Sequence, residues 1–135
     1  MKHFLNSERR LTHFANPSGA LPTGGLDGEI KKKEGVTILH VSGNLDADSV
    51  AAFKKSAYKI LEESKPCLVM DCSSLDFVDS MGLGAMISLL RRVRTQRGDL
   101  KIAGLNADVR SVFEITRLHH LFDVLPDWES ACQKF

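Results

Sequence analysis

A short run of four apolar residues constrains the fold of this chain more than any other feature. The run Cys67-Leu68-Val69-Met70 follows Pro66 and carries apolar side chains at both even and odd positions. A strand of this composition is typical of a parallel sheet that is covered on both faces. The sequence therefore predicts an α/β domain in which this strand is buried.

The segments around this run alternate between strand-like and helix-like patterns. A polar strand over 29–34 and a strand rich in β-branched residues over 36–41 meet at Gly35, which favours a hairpin turn. The predicted order is ββαβαβαβα, a mixed and largely parallel β-sheet with crossover helices. The later elements are predicted as a helix that begins near Asp46 or Asp48, the strand 67–70, a helix over 81–97, a strand over 100–103, a helix that begins after 106, a strand over 121–125 and a helix that begins after 127.

Residues 1–25 are predicted to form a flexible N-terminal arm, which leaves 26–135 as one folded domain. The arm ends in a stretch, 16–25, that is rich in Asn, Pro, Ser and Gly, all of which favour turns. Since each predicted helix gives its apolar face to the core and no apolar stripe is left over, a monomer is expected.

Charge and hydropathy limit which partners and which cellular location can be expected. The net charge of +1 gives no indication of a nucleic-acid partner. No apolar run has the length of a membrane span, and the first residues lack the apolar centre of a secretory signal. We therefore expect a cytoplasmic protein without direct nucleic-acid contact and without membrane insertion.

The clearest candidate site is Ser80, which stands between Asp79 and the helical segment that begins at Met81. Serine is a favoured N-cap, and the first turn of a helix has unpaired N–H groups at the positive end of the helix dipole. A phosphate on Ser80 would therefore lie in a favourable field. The simplest alternative is that Ser80 only caps the helix.

Motifs of enzymes are missing around this serine. The Gly-x-Ser-x-Gly elbow of many hydrolases is absent, and Gly82-Leu83-Gly84 lacks both the third glycine of a dinucleotide loop and the lysine of a P-loop. No cysteine spacing suggests a metal site. We predict no catalytic residue, no metal and no cofactor, although triad partners distant in sequence keep a serine-dependent enzyme as an alternative.

Five stretches between residues 26 and 135 together resemble the STAS domain, the module of sulphate transporters and of bacterial anti-sigma factor antagonists. They occur in the order of the family and are Val41-x-Gly43-x-Leu45-Asp46, Leu68-Val69-Met70-Asp71, Phe77-Val78-Asp79-Ser80-x-Gly82-Leu83, Leu100-x-Ile102-x-Gly104-x-Asn106 and Leu118-x-x-Leu121-Phe122. The resemblance covers most of the chain and implies the STAS fold.

The resemblance also implies a non-enzymatic switch. In antagonists of this family, the serine that corresponds to Ser80 is phosphorylated by a partner serine kinase that is also the anti-sigma factor. The unphosphorylated antagonist binds that factor, phosphorylation ends the binding, and a phosphoserine phosphatase restores it. The acidic residue of the family's loop corresponds to Asp46, so the expected partner-binding residues are Asp46, Asp79, Ser80, Met81 and Gly82. Met81 is a departure, since many relatives carry Ser or Thr there.

Electrostatics is consistent with such a switch. A phosphoserine adds about −1.5 to −2 charges, and next to Asp79 and Asp46 it would create a crowded negative patch. An interface built around a neutral hydroxyl would be opposed by that charge. The alternative function is a STAS scaffold or regulatory subunit that is not phosphorylated, for example beside a membrane transporter, because the same fold serves both roles.

Overall fold

The computed structural model describes residues 8–14, 25–62 and 65–135, and their strands form a six-stranded sheet. The strands lie in chain order and are β1 (Glu8–Phe14), β2 (Leu26–Lys33), β3 (Val36–Leu45), β4 (Cys67–Val78), β5 (Asp99–Ala103) and β6 (Asp123–Leu125). The helices are α1 (Val50–Lys59), α2 (Ser80–Thr95), α3 (Ala107–Ile115) and α4 (Trp128–Cys132). Short 3₁₀ turns occupy Ile60–Glu62 and Leu118–His120.

Two kinds of strand pairing meet at β3. Strands β1, β2 and β3 pair antiparallel, whereas β3 to β6 pair parallel and are joined by α1, α2 and α3. From β2 onward this order confirms the predicted ββαβαβαβα arrangement. None of the described helices is long and apolar enough to cross a membrane.

The buried strand β4 has apolar contacts on both of its faces, as its composition predicted. Leu68 and Met70 belong to the main apolar cluster, which receives side chains from α1, α2 and α3. Val69 points to the other face, where it joins a smaller cluster that includes Ala131 of α4. The alternation along β4 therefore divides the core into two layers.

Several predicted boundaries were wrong. Strand β4 continues past Met70 to Val78, so the residues before Ser80 are strand and not loop. Helix α2 begins at Ser80 and ends at Thr95. The last strand is shorter than predicted because the N–H groups of Leu121 and Phe122 bond to the Leu118 carbonyl and continue the turn that precedes it.

Strand β1 lies within the segment for which the sequence predicted a flexible arm. It pairs with β2 over a register that runs from Glu8 opposite Lys33 to Phe14 opposite Gly28. The mostly polar sequence of this segment did not indicate a strand. The rest of the arm, 1–7 and 15–24, lies outside the described residues, so the division of the chain at residue 25 stays a prediction.

A polar pair lies on the face of the sheet that carries α4. His40 Nδ1 is 2.7 Å from Asp71 Oδ2, and the Ser73 N–H donates to Asp71 Oδ1 at 3.1 Å. The Trp128 ring packs perpendicular to the imidazole, with ring centroids 5.3 Å apart. Burial by itself would raise the pKa of Asp71, but these hydrogen bonds lower the pKa below its ordinary value.

We predict that residues 26–135 fold without the N-terminal segment. The main apolar cluster contains side chains from β2 to β5 together with α1, α2 and α3, and the smaller cluster joins β3, β4 and β5 to α4, so residues from 26 onward already connect the strands to the helices. The truncated protein should melt cooperatively, with only a modest loss of melting temperature from the exposed edge of β2. Thermal unfolding followed by circular dichroism tests this. A large loss of stability would show that the segment is part of the core.

We also predict that Asp71→Asn destabilises the fold in a pH-dependent way. A carboxylate with a lowered pKa in the folded state stabilises the protein above its unfolded pKa, about 3.9, and this contribution is lost as pH falls through the folded value. The variant should lose about 1–3 kcal/mol at pH 7 and approach wild type below about pH 4. Urea unfolding between pH 3 and 7 measures the difference. Asp76→Asn, at an exposed position of the same strand, should change little, and a constant deficit at all pH values would contradict the assignment.

Candidate functional site

The candidate site lies where the parallel strands β3 and β4 end side by side. Leu45, the last residue of β3, is in register with Val78, the last residue of β4. The N–H of Asp79 donates to the carbonyl of Leu45 at 3.2 Å and extends this pairing by one bond. Because both strands end at this edge, the loop before α1 and the start of α2 lie next to each other.

Asp79 is the N-cap of α2, which corrects the prediction that Ser80 fills this role. One carboxylate oxygen of Asp79 accepts the Gly82 N–H at 2.9 Å, and its backbone is extended, as N-cap positions require. Its other carboxylate oxygen accepts the N–H of Ala47 at 3.1 Å. A single side chain therefore holds the first turn of α2 against the loop that precedes α1.

Ser80 is the first residue of α2 and is exposed. Among the described residues, no protein group hydrogen-bonds to its hydroxyl. The hydroxyl is thus accessible and is not needed for capping. This is the arrangement that a modifiable serine requires.

Asp46 shapes the loop between β3 and α1. Its Oδ1 accepts the N–H groups of Asp48 at 3.0 Å and Ser49 at 3.2 Å. Ser49 is the N-cap of α1, and its hydroxyl donates to the Asn44 carbonyl at 2.8 Å. Asp46 therefore contributes a negative charge at this edge and fixes the loop that meets Asp79.

Gly82 permits the close approach of α2 to the end of β3. The glycine is buried, and a Cβ at this position would lie 2.3 Å from the carbonyl oxygen of Leu45 and 2.8 Å from Val78 Cγ2. Any larger residue would force α2 away from the strand. Of the predicted partner-binding residues, Gly82 is therefore buried and determines how closely α2 packs on β3, whereas Ser80 and Met81 are exposed.

Two exposed apolar side chains flank Ser80. Phe77 and Met81 are 51% and 55% exposed, which is high for residues of this size. Met81 was among the predicted partner-binding residues, whereas Phe77 was not.

Strand β4 has two irregularities in its pairing with β3: His40 pairs with Asp71 but Ser42 with Ser74, and Gly43 pairs with Leu75 but Asn44 with Phe77. Each places an extra residue in β4, so that Leu75 and Val78 are buried and Phe77 between them is exposed, a spacing that simple alternation does not predict.

The charge at this edge is negative. Asp46 and Asp79 lie here together with exposed Asp48 and Asp76, and no Lys or Arg occurs between residues 66 and 90. The geometry of these carboxylates does not suit a metal: within 25–62 and 65–135, no group of three His, Cys, Asp or Glu side chains could hold an ion. The site is therefore an exposed serine with apolar neighbours and an acidic border.

Comparison with known proteins gives the family. The profile of the STAS domain matches residues 28–131. A relative, the anti-sigma-B factor antagonist of Bacillus subtilis (strain 168), is 23% identical over 105 residues, which cover 78% of this chain and 95% of the relative.

Solved structures give the same result for the fold. An anti-sigma factor antagonist from Mycobacterium paratuberculosis has a TM-score of 0.73 at 22% identity and covers 80% of this chain and 92% of its own. The Bacillus cell fate determinant SpoIIAA in its phosphorylated form has a TM-score of 0.62 at 16% identity, over 78% of this chain and 97% of its own. The sheet order, the helix arrangement and the profile match agree. This chain belongs to the STAS domain family.

Proposed function

We propose that this protein is an anti-sigma factor antagonist whose binding to an anti-sigma factor with serine kinase activity is switched off by phosphorylation of Ser80. The observation that carries the proposal is the exposed Ser80 hydroxyl, which is free of hydrogen bonds among the described residues and lies at the start of a helix capped by Asp79. The names of relatives support the partner class, since the Bacillus subtilis relative is an anti-sigma-B factor antagonist.

The unphosphorylated surface suits a protein partner. Phe77 and Met81 supply apolar area that is now in water, and the Ser80 hydroxyl between them in sequence is small and neutral. Interfaces gain most of their energy from a few such apolar anchors when water is excluded around them. The anti-sigma factor would cover Phe77, Met81 and Ser80, with Asp46 at the border.

Phosphorylation would transfer the γ-phosphoryl group of ATP to Ser80 Oγ, with loss of the hydroxyl proton and release of ADP. The new dianion would lie beside the Asp79 carboxylate, which already accepts the N–H groups of Gly82 and Ala47. The helix terminus is therefore partly neutralised before the phosphate arrives. Like-charge repulsion from Asp79 and Asp46 and the cost of removing water from the phosphate would both oppose binding.

The fold would survive this modification. Ser80 is exposed and makes no side-chain bond within the described residues, so the phosphate replaces no internal contact. A phosphoserine phosphatase, which hydrolyses the ester and restores the hydroxyl, would then return the protein to its binding state. The protein itself needs no catalytic residue in this cycle.

We predict that Ser80→Ala folds normally, binds the anti-sigma factor and accepts no phosphate. Because Ser80 is not the cap, the change in unfolding free energy should stay within about 0.5 kcal/mol. Ser80→Asp should also fold but bind more weakly, since a carboxylate has part of the charge and bulk of a phosphate. The measurement is kinase-dependent incorporation of labelled phosphate, combined with calorimetric titration of the kinase.

Ser73→Ala is the matched control, because Ser73 is an exposed serine of the same strand-to-helix segment. It should be labelled like wild type. Equal labelling of wild type and Ser80→Ala would move the site elsewhere, with Ser73 and Ser74 as the next candidates. Absence of labelling in all variants together with tight binding would favour the STAS scaffold that needs no phosphorylation.

A second prediction concerns the apolar anchors. Phe77→Ala and Met81→Ala should each weaken binding of the anti-sigma factor about fivefold or more, because each would lose apolar area that the complex buries. Their melting temperatures should change little, since both side chains are about half exposed in the free protein. Phe135→Ala is the control, because Phe135 is 43% exposed but lies over Lys101, in the strand β5. Unchanged affinity of both test variants would remove Phe77 and Met81 from the interface.

A further inference from the structure

Three basic residues at one end of the molecule have a backbone conformation that normally belongs to glycine. Lys65, Arg97 and Arg117 have φ values of 54°, 65° and 61°. In this left-handed region the Cβ atom crowds the following carbonyl, so glycine is the usual choice. Each of the three positions nevertheless carries a long cationic side chain that is exposed.

Two of these positions follow the ends of helices. The Arg97 N–H bonds to the Arg94 carbonyl and the Gly98 N–H bonds to the Val93 carbonyl, which is the Schellman arrangement with Arg97 at the glycine position. After α3, the Arg117 N–H bonds to the Glu114 carbonyl, and Arg117 again takes the left-handed position. Both helix ends therefore place an arginine where glycine would be favoured by the backbone.

Contacts join the three positions into one strip. The Lys65 N–H donates to the Gln96 carbonyl at 3.1 Å, which links the chain before β4 to the end of α2. The guanidinium of Arg94 donates to the Leu121 carbonyl at 3.3 Å, which links α2 to the segment after Arg117. Together with Arg92, which lies over the ring of Tyr58 at 5.1 Å, these cations define what we call the basic pole: Lys65, Arg92, Arg94, Arg97 and Arg117.

Most of this charge has no acidic partner in the part of the chain that the structure describes. Among the residues that the structure describes, Lys65, Arg97 and Arg117 have no ion-pair partner. Arg94 is 3.7 Å from Asp99, but that carboxylate also binds Lys101 at 3.3 Å. Glu62 and Glu114 are exposed acidic residues near the ends of the strip and leave it with an excess of positive charge.

Apolar side chains border the same strip. Ile115, in the last turn of α3, is 83% exposed, and Leu121, whose carbonyl accepts from Arg94, is 38% exposed. Two of the arginines are already oriented, Arg92 by Tyr58 and Arg94 by Leu121 and Asp99. Oriented guanidinium groups suit the planar geometry of carboxylates, and arginine with aliphatic neighbours is typical of protein interfaces.

We propose that the basic pole is a second docking surface, which binds an acidic segment of a partner protein. It is separate from the surface around Ser80, because α2 has 16 residues and so spans about 24 Å between the two. The acidic segment would pair its carboxylates with Arg97, Arg117 and Lys65 and would cover Ile115. Binding there does not require release of a partner at Ser80.

The test uses the full chain and a fluorescein-labelled peptide of twelve residues in which pairs of Glu alternate with Leu. Its affinity is measured by fluorescence anisotropy at near-physiological salt for wild type and for the triple variant Lys65→Gly, Arg97→Gly, Arg117→Gly. We expect the triple variant to bind about five- to tenfold more weakly. Because glycine fits the left-handed backbone, its melting temperature should be equal or higher, so weaker binding cannot be attributed to misfolding.

Glu34→Gly is the matched control. Glu34 is exposed and has a φ of 52°, so this change also places glycine in a left-handed position, but it lies in the β2–β3 turn and removes no positive charge. It should keep the peptide affinity of wild type. Equal peptide binding by wild type and the triple variant would overturn the proposal.

Two further outcomes would overturn the choice of partner. The first is that wild type binds phosphatidylserine vesicles or duplex RNA more tightly than the peptide and that the triple variant loses this binding. That result would assign the basic pole to a membrane or a nucleic acid. The second is that wild type associates with itself in a concentration-dependent way in sedimentation and the triple variant does not. That result would show that the basic pole binds the acidic edge of a second copy of this chain.

Discussion

The carboxylate of Asp79 makes the two hydrogen bonds on which the geometry of the candidate site depends. One oxygen binds Gly82 in the first turn of α2, and the other binds Ala47 in the loop before α1. The same residue bonds through its N–H to the end of β3. Without the carboxylate, the first turn of α2 would lose its N-cap and its hydrogen bond to the loop before α1, and the two segments would be held by the pairing of β3 with β4 and the packing at Gly82.

This arrangement places conditions on the neighbouring residues. Gly82 must lack a side chain, because α2 passes so close to Leu45 that a Cβ would overlap the carbonyl oxygen. Asp46 must accept two backbone N–H groups, so that the loop presents Ala47 to Asp79. The Ser80 side chain has no such structural role within the described residues. A residue without a structural role can change its chemistry at small cost to stability, which is what a modification site requires.

The sequence allowed the architecture to be predicted because its apolar pattern is regular where the core is formed. Leu68, Val69 and Met70 alternate between two apolar layers, and composition alone indicated a strand covered on both faces. Strand β1 was missed, since its sequence, ERRLTHF, is mostly polar and its place depends on pairing with β2. Pairing partners that lie far apart in sequence leave no local pattern.

The candidate site was harder to predict for a different reason. Asp79 and Ser80 are both good N-caps, so local preference could not decide which of them precedes the helix. Two bulges, one between Asp71 and Ser74 and one at Asp76, each shift the register of β4 by one residue. The buried residues in this part of the strand are therefore Leu75 and Val78, three apart, and Phe77 between them is exposed. Such irregularities depend on the pairing of β4 with β3, which the sequence of β4 alone does not contain.

The distribution of charge connects the two ends of α2. Acidic residues gather at the strand ends near Ser80, and arginines gather at the opposite end of the helix, although the net charge is only +1. Each group lies at the end of the helix dipole that stabilises it, so the separation itself supports the fold. A phosphate on Ser80 would add charge about 24 Å from Arg97, more than the Debye length of roughly 8 Å at physiological salt. Modification at one end would therefore leave the potential at the other almost unchanged, so the two proposed surfaces would act separately.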